Sequence, residues 1–269
     1  MTHHRTHAGA ARAHFGKGHG RLRGLHRLVS NEFLKLRTTR STWVIAGSAQ
    51  LVVALGISGA FVSGKDPMDP QTVLLSLSHI GLVSIFSLML GITAVAGEYR
   101  NKTITDTYLA TPSRGAVVGA KVIAYSIVGV GMGLLATLTA FAGTSIWLKA
   151  KGTSLDLGTP GIGRTVLGCI VWNVCFAAVG VGVGALVRNL SGAIAGTLIW
   201  IAVVEGMVGQ IIGDAAKWLP FRAGGALQGF PPVGDAQQLS QLGGGLMLVA
   251  YAAALVAVAL ATSMRRDVT

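Results

Sequence analysis

Six long apolar runs separated by short polar stretches set the plan of the chain. They lie near Trp43 to Val62, Val73 to Ala96, Val117 to Trp147, Val166 to Val187, Gly192 to Ile212 and Leu242 to Thr262. Each is about the 20 residues that a helix needs to cross a bilayer core. The pattern therefore predicts an all-α polytopic membrane protein with six transmembrane helices. The third run is longer than a crossing requires, which predicts tilt or projection, with Lys121 snorkelling to the surface. Six crossings return the chain to the side on which it began. Ahead of the first run, over residues 25–41, Leu25, Leu28, Val29, Phe33 and Leu36 recur at helical spacing. Arg27, Lys35, Arg37 and Arg40 lie mostly elsewhere on the wheel. Such a basic amphipathic helix is expected to lie in the headgroup plane. Residues 1–24 carry His3, His4, His7, His14 and His19 among Gly, Arg and Ala. They have nothing apolar to fold around and read as a disordered tail, and the histidine spacing fits no defined metal site. Residues 42–269 read as one transmembrane domain.

The polar connection over residues 97–121, GEYRNKTITDTYLATPSRGAVVGAK, carries order of its own. Thr103 stands three residues before Asp106, a capping-box spacing, and Pro112 ends any helix begun there. Ile104 and Tyr108 fall one turn apart on one face. A short helix set across the membrane surface is expected, built to touch a partner. On the opposite side the connections are short over 63–72, moderate over 148–164 and long over 213–241. The long one mixes Trp218, Leu219, Phe221 and Phe230 with Gly and Pro, which predicts short helices resting on the outer leaflet, where aromatic rings prefer to sit. Four small-xxx-small pairs, Gly129 with Gly133, Gly180 with Gly184, Gly192 with Gly196 and Gly209 with Gly213, mark places where helix backbones can approach closely in lipid.

Composition agrees. Of 269 residues 51% are hydrophobic and only 12% charged, against about 25% charged in soluble domains. The net charge of +12 could suggest nucleic acid, but its placement argues for topology. Only Lys65, Lys149, Lys151, Arg164, Lys217 and Arg222, six of the 22 Lys and Arg, fall on the 63–72 side; the other 16 share the side of the N-terminus. Positive residues near short loops stay in the cytoplasm. The termini and the 97–121 connection are thus expected to be cytoplasmic, in a multi-pass protein of the plasma membrane. No cleavable signal peptide is visible, so the first span is expected to direct insertion.

The chemistry expected of an enzyme is missing. Cys169 and Cys175 lie six apart in one span, on different helical faces, and read as inert packing. The segment 59–66, GAFVSGKD, fits GxxxxGK but ends in Asp66 where a phosphate loop needs Ser or Thr. GVGVG at 180–184 lies mid-membrane. His79 is the one histidine within a span, and no HExxH or catalytic triad is present. The chain is therefore not expected to be an enzyme, and no catalytic or metal residue is assigned. Glu205 is an acid in mid-span, where an unpaired charge costs on the order of 3 kcal/mol. Two readings stand for it: it lines a translocation route with groups such as Gln50 and Asn173, or it forms a polar lock with one of them.

The sequence resembles membrane subunits of type-2 ABC transporters. The resemblance rests on Gly97, Glu98, Tyr99, Arg100, Thr103 and Ile104, then Leu109, Pro112 and Arg114, then Ala120 and Lys121, with the lead-in from Asn31 to Trp43. The Gly usual after the basic pair is Lys102 here. The resemblance implies half of an exporter: two six-span subunits, as a homodimer or heterodimer, form the path, and two cytoplasmic ATPase subunits bind ATP and Mg and power it. It implies a coupling helix at 101–111, with Arg100, Thr103, Ile104, Asp106, Tyr108 and Leu109 meeting the ATPase. It also implies a connecting helix at 25–40, and a polar joint at Glu98 and Arg100 through which the ATPase tilts the first, second and fifth spans. Two other classes remain: a membrane anchoring or assembly protein whose basic loop binds lipid or a partner, and a proton-coupled carrier using Glu205.

Overall fold

The computed structural model describes residues 24–63, 66–67, 69–111, 113–229 and 237–263. The histidine-bearing tail, Lys65, Pro112, Phe230, Arg265 and Arg266 lie outside the described residues. Among those described, every regular element is helical. Six helices are long and apolar enough to cross a membrane: Arg40–Val62, Pro70–Arg100, Arg114–Ala150, Ile162–Val187, Leu190–Ile211 and Gln241–Thr262. They are called here the first to sixth spans. A lead-in helix over 24–38 precedes them, and a short loop helix, Ile104–Ala110, joins the second to the third.

The second and fourth spans form the centre, with 67% of the fourth buried inside the protein against 17% of the fifth and sixth. Glycine sets this packing. A methyl added at Gly91 would collide with the Ala177 carbonyl, and one at Gly180 with that of Leu88, so the two backbones touch. Gly129 and Gly133 admit the backbone of the fourth span at Asn173 and Ile170 in the same way. The other two expected pairs do not: Gly196 and Gly213 have open space where a side chain would go.

The second span starts three residues ahead of its apolar run, because Asp69 caps it by accepting from Gln71 N at 2.9 Å and Pro70 takes the first helical position. It tightens into a 3-10 segment over His79–Leu82 before resuming as Val83–Arg100. The tightening frees carbonyls that side chains then satisfy. Gln228 Nε2 donates to Ser78 O at 2.8 Å, and Asn173 Nδ2 to Ile80 O at 3.3 Å. The third span runs 37 residues, about 55 Å at 1.5 Å per residue, and so projects well beyond a bilayer core.

The long connection after the fifth span departs from expectation. Gly213, at φ 56, turns the chain; a 3-10 segment Gly213–Trp218 follows, then a helix, Pro220–Leu227. Trp218 is exposed as an interfacial ring should be, but the helix does not rest on a leaflet. Ala223, Ala226 and Leu227 are buried. Gly168 and Gly244 let the carbonyls of Leu227 and Ala223 approach the fourth and sixth spans, and Gly224 faces the Trp172 ring. Phe221 meets Trp172 edge to face at 4.9 Å. The small residues of PFRAGGAL make this wedge thin enough to enter the bundle.

Candidate functional site

The lead-in helix turns Val29, Glu32 and Leu36 toward the bundle, and Glu32 is buried with them. A carboxylate on an apolar stripe needs a partner. It finds one in Lys121, two turns into the third span and 1% exposed. The Lys121 ammonium donates to Glu32 Oε2 at 2.9 Å, to Glu98 Oε1 at 2.7 Å and to Ala94 O at 2.9 Å. All three of its protons are thereby used. Lys121 therefore does not snorkel: the projecting end of the third span is enclosed by protein at this point, and the charge is neutralised where it stands.

Lys35 closes the cluster from outside, donating to Glu32 Oε1 at 2.9 Å and to Glu98 Oε1 at 2.6 Å. Partial burial pulls against its charge, but the bonds to Glu98 and Glu32 outweigh that and hold the ammonium above the ordinary lysine range. Two carboxylates and two ammoniums thus form a neutral cluster drawn from the lead-in helix, the end of the second span and the start of the third. The loop helix joins it through Thr107 Oγ1, 3.4 Å from Glu98 Oε2. With one shared carboxylate oxygen between two lysines, a shift of any contributing helix must disturb the others.

Glu98 and Arg100, expected together as a polar joint, are separated: Glu98 turns in to the lysines, and Arg100 is exposed. Of the other residues expected on the loop helix, Thr103, Asp106 and Leu109 are exposed, Leu109 at 77%. Ile104 is buried and Tyr108 half-buried, so the face they share packs inward. Thr103 occupies the N-cap position, but its side chain caps nothing. Its backbone, at φ −90 and ψ −5, is helical rather than extended, which turns the hydroxyl away from the amides that a capping box would engage. Lys102 sits in the left-handed region at φ 59, the conformation that a Gly at this place adopts without strain. Tyr108 lies under the Arg114 guanidinium, 5.2 Å from the ring centroid. Burial first, and the adjacent Tyr99 second, push its phenol up to about 12.

Glu205 is 2% exposed, and its partners are neither Gln50 nor Asn173. It lies in a π-helical segment, Trp200–Val208, and accepts from Trp200 Nε1 at 3.2 Å, Phe221 N at 2.9 Å and Arg222 N at 2.9 Å. The carboxylate thus caps the wedge helix at its positive end. Gln50 accepts from Thr139 Oγ1 at 2.8 Å, and Asn173 binds Ser87 and the freed Ile80 carbonyl. The three polar groups expected along one route therefore serve three separate contacts.

Glu98 stands out in the sequence, but the roles of Glu32, Lys35 and Lys121 do not. The readable signal was Glu32, which interrupts the apolar stripe one turn before Leu36. A family model described as ABC-2 family transporter protein matches residues 28–209, from the lead-in helix through nearly all of the fifth span. No curated protein matches the chain significantly.

Proposed function

The chain belongs to the ABC-2 family of transporter proteins, and from that premise we propose that it is the membrane subunit of an ATP-driven exporter, moved by a separate cytoplasmic ATPase through the 97–121 connection. One observation carries the reading: the neutral cluster of Glu32, Lys35, Glu98 and Lys121 ties the lead-in helix to the ends of two spans, and Thr107 of the loop helix reaches its Glu98 at 3.4 Å. A push on the loop helix then reaches Glu98 through Thr107 and the packed Ile104, and passes on to the lead-in helix and the third span through the short charge-assisted bonds of the cluster. Arg100, Thr103, Asp106 and Leu109 form the outward face that meets the ATPase, while Ile104 and Tyr108 seat the helix on the bundle. In this reading ATP and Mg bind the partner, two ATPase copies serve two permease subunits, and the termini are cytoplasmic in the plasma membrane. The second span, with its 3-10 segment, carries the motion toward the wedge helix, since Gln228 hangs on the carbonyl of Ser78.

The test is co-purification with an ATPase and turnover of that ATPase in proteoliposomes. Leu109→Glu changes an exposed side chain, so it is expected to abolish association and stimulation without altering the fold. Undiminished stimulation by this variant, or an outside location of residues 101–111 by labelling, would end the proposal. Glu205 is spent on three donors, so transport is expected to survive collapse of the proton gradient while ATP remains.

A further inference from the structure

At the end of the bundle away from the loop helix, a half-open cavity of about 500 Å³ separates the starts of the two central spans. Gln71 and Leu74 of the second span form one wall, Arg164 and Thr165 of the fourth form the other, and Gly229, just after the wedge helix, closes it. The volume is one that small-molecule sites use. Its walls are held in place by bonds of their own. Asp69 caps the first turn of the second span. Thr165, 3% exposed, donates to Gln228 O at 2.7 Å, and Gln241 Nε2 bridges Arg164 O at 3.0 Å and Leu227 O at 2.6 Å. Gly161 at φ 97 and Gly229 at φ 69 turn the backbone along the rim without putting a side chain into the space.

Within this fixed frame the charge is unanswered. The Arg164 stem lies beside Gly229, but its guanidinium has no hydrogen bond or ion pair among the described residues. No acidic side chain lines the cavity. The Gln71 carboxamide, on the facing wall, is likewise unbound among the described residues. Leu74 and Pro160 supply the apolar remainder. One cation, one amide and an apolar patch around a preformed hollow is the composition of a ligand site rather than of a solvated surface.

We propose that this cavity binds a small anionic amphiphile. Its phosphate or carboxylate meets the Arg164 fork, whose paired donors match two oxygens of either group. The Gln71 amide donates from the other side, and the apolar part lies on Leu74 and Pro160. A molecule so placed ties together the starts of the second and fourth spans and the end of the wedge helix. The site needs neither an ATPase nor a transport cycle, so it stands or falls separately from the proposed function.

The test uses hexyl phosphate as probe, titrated onto the full chain in phosphatidylcholine nanodiscs, with binding read as a saturable rise in melting temperature. Arg164→Gln is expected to weaken binding about tenfold, the size of one charge-assisted hydrogen bond. Arg164→Lys, which keeps the charge, should recover most of it. Lys151→Gln, an equal loss of charge at an exposed residue on the same side, should bind as the wild type does. Equal weakening by Arg164→Gln and Lys151→Gln would reduce the effect to general surface charge and overturn the site, as would unchanged binding in Arg164→Gln or no recovery in Arg164→Lys. Hexyltrimethylammonium raising the melting temperature equally would mean partition into the bilayer and overturn it too. Inorganic phosphate should bind more weakly than hexyl phosphate; equal affinity would overturn the amphiphile. Phosphatidylglycerol added to the nanodiscs separates the two sources of such a group: competition with hexyl phosphate assigns the cavity to a lipid headgroup, and its absence to a soluble ligand.

Discussion

Lys121 shows how far a single side chain can hold this junction together. Replacing it with Met keeps the volume but leaves Glu32 and Glu98 buried with only Lys35 between them, and breaking such a pair from one side costs roughly 3–5 kcal/mol. Unfolding of Lys121→Met in detergent is expected to show a loss of that order; a loss under about 1 kcal/mol would mean that water reaches the carboxylates. The alkaline limb of stability is set nearby. The Tyr108 phenol, raised from 10.0 to about 12 in the folded chain, keeps its proton where the unfolded chain has lost it. Its contribution to stability is therefore full below about pH 10 and is lost between about 10 and 12. Lys35, raised above 10.5, adds a decline in the same direction that begins later, because its folded-state preference for the charged form is lost as pH rises through its folded value. Melting temperatures between about pH 9 and 12 should show Tyr108→Phe delaying the fall and removing part of it.

At the scale of elements, the wedge helix Pro220–Leu227 is the part most dependent on one distant residue. Its first amides, Phe221 N and Arg222 N, both end on Glu205. Glu205→Gln leaves one acceptor oxygen and turns an NH2 toward a donor, a clash worth about 1–3 kcal/mol. Hydrogen exchange over residues 213–229 is expected to speed by about tenfold or more, with 97–121 unchanged. A rise shared equally by both regions would show instead that Glu205 supports the whole bundle. The expectation of helices lying on the outer leaflet failed at this element for a physical reason. Alternating aromatic and small residues read as an interfacial anchor when taken alone, but Gly168 in the fourth span and Gly244 in the sixth leave the room that lets the segment enter. That space is a property of other elements, and no local reading of PFRAGGAL contains it.

Taken as a whole, the bundle was legible in the runs of apolar residues because crossing a bilayer demands length and hydrophobicity from each helix by itself. The central place of the second and fourth spans was half legible: Gly180 and Gly184 announced a close approach, and Gly91 on the facing helix completes it, but Gly192 and Gly196 made the same announcement and meet no other helix, Gly192 touching only the Asn189 side chain. The charged cluster was least legible, since Lys121 lies 89 positions from Glu32 and 23 from Glu98, and nothing local ties an acid in one helix to a lysine in another. This separation bears on how the molecule is made. Synthesis delivers Glu32 and Lys35 early, Glu98 later and Lys121 last, so a nascent chain halted short of the third span holds two acids against one ammonium at this junction. Neutrality is reached only when that span arrives, and the lead-in helix gains its final berth at the moment half of the membrane domain has been threaded into place.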